Sequence, residues 1–158
     1  MRRFLPFVAM LIAACAPQDA DSATRQDKKK KPPELQIEVS QSPEALAASE
    51  RGEVRVQVSP PEGIDLNRYP GITLTIEDPA GLELGSGTAF VGSEKPIKDP
   101  DEFAFETIDP LKLAVTAPPA VGPGKHTMSG SVKFFYCRKK DGFCAPATQK
   151  VSVPVETR

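Results

Sequence analysis

The sequence has no tryptophan, one histidine, three methionines and three cysteines in 158 residues, and only 6% of it is aromatic. Each shortage excludes something. A single histidine, His126, leaves a Ser-His-Asp hydrolase little raw material. None of G-x-S-x-G, H-E-x-x-H or a phosphate-binding glycine loop occurs, and Gly85-Ser86-Gly87 reads as a turn. A formal net charge of −1 supplies no basic field for nucleic acid. No apolar run reaches the ~20 residues that cross a bilayer core. Proline, by contrast, is in excess: 17 residues, about twice average usage. Each proline removes a backbone donor and breaks a helix interior, so prolines scattered along the chain argue against an all-α fold. The length suits one domain with a tail, enough to bury a core without staples.

The N-terminus reads as an address. Arg2 and Arg3 precede an apolar stretch, Phe4 to Ala14, bent at Pro6. It is too short for a membrane span and fits a cleaved secretory signal. Ile12-Ala13-Ala14-Cys15 resembles a bacterial lipobox. That resemblance implies cleavage before Cys15, diacylglycerol on its sulfur and a further acyl group on the new amine, and two or more chains suffice for stable anchoring. The alternative is an ordinary signal peptide cut nearby, with Cys15 incidental. Residues 1–14 are then the signal peptide and 15–33 a lipidated, disordered tether, whose polar composition cannot bury enough surface to order itself. Lys28–Lys31 is a solvated linker run or a contact to anionic headgroups. The expected location is the bacterial cell envelope, lipid-anchored and facing the periplasm, where disulfides persist.

Residues 34–158 follow a period of two. Leu35, Ile37 and Val39 alternate with polar residues, as do Val54, Val56 and Val58, and Ile72, Leu74 and Ile76. Leu111, Leu113 and Val115 follow the same rule, as do Val132, Phe134 and Tyr136, and Val151, Val153 and Val155. Such alternation marks half-buried strands. Turn chemistry separates them at Pro60–Gly63, Asp78–Gly81, Pro118–Gly124 and Asp141-Gly142. Weaker strands are expected at Glu83-Leu84, Thr88–Val91 and Phe103–Phe105. Ser42 to Glu50 is the only helical candidate, opened by Ser42-Pro43 but so short that it is a turn or at best a marginal helix. The fold class is all-β: an immunoglobulin-like antiparallel β-sandwich of seven to nine strands. Phe90, Phe103, Phe105, Phe134, Phe135, Tyr136 and Phe143 are expected in its core, and the molecule is expected to be a monomer.

With Cys15 assigned to lipid, Cys137 and Cys144 remain, either side of the Asp141-Gly142 turn. Facing residues of a non-hydrogen-bonded antiparallel pair have Cα atoms ~4.5 Å apart, within reach of a disulfide. If Val132, Phe134 and Tyr136 face the core, Cys137 faces outward, where a partner thiol reaches it. Arg138, Lys139 and Lys140 would favour its thiolate. Against this stands a purely structural bond that pins the hairpin, worth less than the ~3 kcal/mol of a 15-residue loop. A metal held by both cysteines and His126 is a third reading, although C-x6-C is no standard metal spacing and His126 reads as a turn residue. No cofactor is expected.

Tyr136-Cys137, Asp141-Gly142-Phe143-Cys144-Ala145-Pro146 and the trailing Lys150-Val151-Ser152-Val153-Pro154-Val155 resemble the cysteine hairpin of the N-terminal periplasmic domain of the thiol:disulfide interchange protein DsbD. Val54–Val58, followed by Pro-Glu-Gly, and Gly81–Leu84 suit it too. The resemblance spans roughly residues 34–156. It implies an immunoglobulin-like fold and a reversible Cys137–Cys144 pair that exchanges electrons with periplasmic thioredoxin-like or other thiol proteins. It also implies a cap loop at Asp101-Glu102-Phe103, with Phe103 shielding the pair. The basic neighbours favour Cys137 as the more acidic thiol, whereas the resemblance favours Cys144 as the partner-linked sulfur. The spacing is one residue longer than the family's C-x5-C. With no multi-span hydrophobic domain and no thioredoxin-like C-x-x-C, exchange is expected to depend on separate partners. The alternative is a non-catalytic envelope lipoprotein whose sandwich binds a partner protein and whose disulfide is structural.

Overall fold

The computed structural model describes residues 31–158, and Pro32–Arg158 form one compact unit. Cys15, the expected signal peptide and the expected tether up to residue 30 lie outside the described residues. The six strands expected from alternation are β1 (Gln36–Ser42), β2 (Arg51–Ser59), β4 (Ile72–Asp78), β7 (Leu111–Thr116), β8 (Gly124–Arg138) and β9 (Cys144–Thr157). The weaker signals give β5 (Glu83–Leu84) and β6 (Thr88–Val91), and β3 (Ile64–Leu66) adds a strand too short to show alternation.

All pairings between these strands are antiparallel. One sheet has the order β1-β2-β7-β5. The other is built on β8, which pairs β9 from Gly124 to Cys137 along one side and shares its other side between β4 and β3, with β6 beyond β4. In chain order, β1-β2-β7-β5 take the places of immunoglobulin strands A, B, E and D, while β4-β8-β9 take those of C, F and G. The fold is an immunoglobulin-like β-sandwich with β3 and β6 added.

The inward residues of both sheets form one buried cluster. It includes Val54, Val56 and Val58 of β2, Leu111, Leu113 and Val115 of β7, Ile72 and Leu74 of β4, Val132, Phe134 and Tyr136 of β8, and Val151, Val153 and Val155 of β9. Burial of each large aliphatic side chain is worth ~1.5–3 kcal/mol, so the core holds the sandwich without help from sulfur. Two glutamines tie the sheets at their edges. Leu35 N–H donates to Gln149 Oε1 (2.7 Å) and Gln149 Nε2 donates back to Leu35 O (3.0 Å). Gln41 does the same for the backbone of Glu156, at 2.8 and 3.0 Å.

Three expectations are corrected, and a fourth, open between a turn and a marginal helix, resolves to the turn. Within Ser42 to Glu50, Ser42 ends β1 and the rest forms bends and a turn, and Leu46 bridges to Thr157 of β9. The segment buries a single anchor, fully covered Leu46, whereas a helix there would need an apolar stripe. Phe103–Phe105 is no strand, because Asp99-Pro100 nucleates a 3-10 turn over Pro100–Glu102, with Asp99 Oδ1 accepting from Asp101 N–H at 3.1 Å. Phe90, Phe103 and Phe143 are not core residues but 44, 45 and 44% exposed, and Phe135 is half-buried on the outward parity of Cys137; beside Phe134 and Tyr136, aliphatics fill the interior. His126 lies in β8, its Nε2 3.0 Å from Gly122 O and 3.1 Å from Thr157 Oγ1.

Candidate functional site

The β8–β9 register sets Cys137 opposite Cys144, and the two sulfurs are bonded at 2.04 Å with Cα atoms 4.1 Å apart. One step outward, Arg138 N–H donates to Phe143 O (2.9 Å), which makes that pair hydrogen-bonded. Alternation along the ladder makes Cys137–Cys144 a non-hydrogen-bonded pair, the closer of the two kinds. Val132, Phe134 and Tyr136 are buried, Cys137 is half-buried on the opposite parity and Cys144 is exposed. The sulfurs therefore stand on the outer side of the sheet, at its end, and not between the sheets.

The turn that closes the hairpin is organised by its own side chains. Gly142 adopts φ 65°, a left-handed conformation in which glycine carries no steric penalty. Its N–H donates to Arg138 O at 2.9 Å. Asp141 Oδ1 accepts from Phe143 N–H (3.3 Å) and from Arg138 Nε (3.1 Å), and Arg138 Nη2 reaches Asp141 Oδ2 at 3.0 Å. Lys139 pairs with Asp65 of β3 at 3.0 Å. Two of the three cations expected to favour a thiolate at Cys137 are thus already matched by carboxylates, which removes much of that field.

Sequence reasoning missed a side chain that touches the sulfur. Asn67 Oδ1 is 3.4 Å from Cys137 Sγ, close enough to accept from the thiol once the bond is reduced. On the other sulfur, Gly142 O is 3.6 Å from Cys144 Sγ. Asn67 is placed by pairing alone: Asp65 sits opposite Cys137 in the β3–β8 register, and Asn67 N–H donates to Phe135 O at 2.9 Å. No local pattern around Ile64–Asn67 signals this. The Phe103–Phe105 segment lies one position further out. Phe103 O accepts from Arg68 N–H (2.8 Å), Phe105 N–H donates to Leu66 O (2.9 Å), and Ala104 bridges to Asn67. The expected cap segment is therefore beside the residue that touches Cys137, with the Phe103 side chain exposed. A cleft of about 470 Å³ opens there, lined by Arg68 and by Asp101, Glu102, Glu106 and Asp109.

The third reading of the cysteines does not assemble. Their sulfurs are bonded to each other, and His126 belongs to the far end of β8, paired with Val155. Among the described residues, no group of three or more His, Cys, Asp or Glu is arranged to hold a metal ion.

No protein-family model matches the chain. No curated protein matches it. Among solved structures it is similar to a conjugate transposon protein, residues 27–141, from Bacteroides vulgatus, at 12% identity over 84% of this chain and 93% of that one, with a TM-score of 0.31. It is also similar to AggA, the major subunit of aggregative adherence fimbriae type I from Escherichia coli, at 9% identity over 79% of this chain and 96% of that one, with a TM-score of 0.33.

Proposed function

We propose that this protein is a periplasmic thiol–disulfide exchange module, held to a membrane by lipid on Cys15 and acting through Cys137 and Cys144. The observation that carries the reading is the location of the bond: it joins outward-facing residues at the end of a hairpin, with Cys144 exposed, on a domain whose aliphatic core is complete without it. The partners are thioredoxin-like or other exported thiol proteins. Phe103, on the segment beside Asn67, is the side chain to shield the pair between encounters.

Exposure sets the order of events. The thiolate of a partner dithiol attacks Cys144 Sγ, a new interprotein S–S bond forms, and the Cys144–Cys137 bond breaks. The electron pair goes to Cys137 sulfur, which takes a proton. The partner's second thiolate then attacks its own bonded sulfur and releases Cys144, which is protonated in turn. The partner leaves as a disulfide and the module holds two thiols, having gained two electrons and two protons; the reverse sequence oxidises it.

The test is trapping. In its native cell, Cys137→Ser leaves Cys144 without a resolving thiol, and a mixed disulfide with an exported protein is expected on non-reducing gels, with less from Cys144→Ser. Absence of an adduct from either variant, with a reduction potential below ~−300 mV, would favour the partner-binding lipoprotein with a structural bond instead.

A further inference from the structure

We infer that Asn67 is a positioning residue that decides which sulfur of the reduced pair is the nucleophile: its side-chain carbonyl holds Cys137 as the protonated thiol and leaves the thiolate to Cys144. The inference rests on the exchange reading above and assigns its chemistry.

The two cysteines share a hairpin end but not an environment. Cys137 is half-buried, flanked by β3, with Asn67 Oδ1 at 3.4 Å. That oxygen is the negative end of the amide dipole. It can accept S–H···O from a thiol and can only repel a thiolate, and a hydrogen bond made by the neutral form disfavours ionisation. Cys144 is exposed, and its nearest acceptor, Gly142 O, is further off at 3.6 Å. Water there solvates a thiolate directly.

The charged groups around the pair do not reverse this order. On the hairpin, Arg138 is gripped by Asp141 at 3.0 Å. From β3, Asp65 is taken by Lys139 at 3.0 Å. Lys140 lies in the exposed turn and makes no ion pair among the described residues. Arg68 and the carboxylates Asp101 and Glu102 line the cleft on the far side of Asn67. The group in contact with Cys137 sulfur is therefore an uncharged amide whose backbone is fixed by Asn67 N–H to Phe135 O. Because that anchor is main chain, it survives substitution of the side chain.

The consequence for exchange is directional. A thiol attacks as its thiolate, so the reduced module attacks a partner disulfide through Cys144, and Cys137 resolves the adduct afterwards. Exposure made Cys144 the point of attack on the oxidised form, and Asn67 makes the same sulfur the attacker in the reduced form.

The experiment is competitive alkylation of the reduced full chain with limiting iodoacetamide between pH 6 and 9, read by mass spectrometry of the peptides bearing Cys137 and Cys144. Cys144 is expected to be modified first. Asn67→Ala removes the acceptor and should lower the Cys144:Cys137 ratio about fivefold, the worth of one ordinary hydrogen bond. Asn67→Asp places a carboxylate there and should raise it. A purely structural Asn67 would change melting temperature without moving the ratio in opposite directions in the two variants. Equal ratios in all three proteins, or Cys137 modified first in the wild type, would overturn the assignment. Alkylation requires no partner, so failed trapping with the expected ratios sinks the exchange reading alone, and normal trapping with unmoved ratios sinks the role of Asn67 alone.

Discussion

The guanidinium of Arg138 lies over the ring of Phe143, 4.5 Å from its centroid, while holding Asp141 with two nitrogens. One cation thereby fixes two other residues between the two cysteines, Asp141 and Phe143, and the turn keeps its shape from contacts that do not involve sulfur. Reduction should accordingly open the bond without unfolding the hairpin.

The Cys137→Ser/Cys144→Ser double variant is therefore expected to keep its fold. The loop closed by the bond is short, and chain entropy assigns such a loop about 2.5 kcal/mol at most. For a domain of this size that is a fall of roughly 10 °C in melting temperature. Circular dichroism melts of the double variant and of the oxidised wild type measure the difference. Loss of cooperative unfolding would mean that the disulfide is structural and that the core does not suffice.

Glu77 is expected to give the domain a pH dependence. In β4 the register slips between Ile76 and Asp78, leaving Glu77 as the extra residue of a bulge. Its carboxylate accepts from Lys150 Nζ at 2.6 Å and from Ser131 Oγ at 2.9 Å. The Lys150 hydrogen bond first, and the Ser131 hydrogen bond next, hold its pKa below the ordinary 4.5. A carboxyl depressed in the folded state adds stability above the unfolded value and loses it as pH falls through the folded one. Wild type should melt above Glu77→Gln at pH 7, and the gap should close below pH 4.5, the ordinary value, and shrink in high salt.

Gly130 faces that bulge. It pairs with Ile76, and a Cβ built on it meets Thr75 O, a backbone atom that cannot swing aside. Gly130→Ala should therefore destabilise by about 1–3 kcal/mol, the range for overpacking a tight interior. Urea denaturation measures it, and an unchanged midpoint would show that β4 and β8 separate freely there. Gly142, in the turn between β8 and β9, has nothing within 4 Å of its Cβ position and is limited by its φ of 65°.

Much of this architecture was legible because a period of two is visible wherever a strand has one buried face. Val54–Val58, Ile72–Ile76 and Val151–Val155 announce both strand and facing, and the parity of Val132–Tyr136 places Cys137 outward. The Asp141-Gly142 turn then fixes which cysteine faces which. Illegible were the features that long-range contact creates. β3 is three residues long, Leu46 replaces a helix by plugging into the core alone, and Asn67 comes to the sulfur only through pairing with a strand 70 residues away. The aromatic residues misled for a related reason: type alone suggested burial, whereas Phe90 and Phe143 occupy an outward strand position and a turn.

The prolines of β9 yield the last prediction. Since Arg138 and Phe143 are a hydrogen-bonded pair, alternation turns the N–H groups of the even-numbered residues from 144 to 156 away from β8, toward the sheet edge. The contacts of Glu156 agree, its N–H donating to Gln41 Oε1 and its carbonyl accepting from Leu46 N–H. Pro146 and Pro154 occupy two of these outward positions, where a missing N–H costs no ladder bond. Between them only Thr148, Lys150 and Ser152 present outward amides, and the Lys150 ammonium is turned away across β8 to Glu77 of β4. A proline on an exposed edge discourages pairing with another chain. The Pro146→Val/Pro154→Val variant restores two donors to a long flat edge without touching the core. It should fold with the same spectrum yet associate: light scattering is expected to show larger species than the wild type gives at equal concentration. A variant that associates no more than the wild type would mean that the contacts of Gln41 and Leu46 with Glu156 guard the edge by themselves.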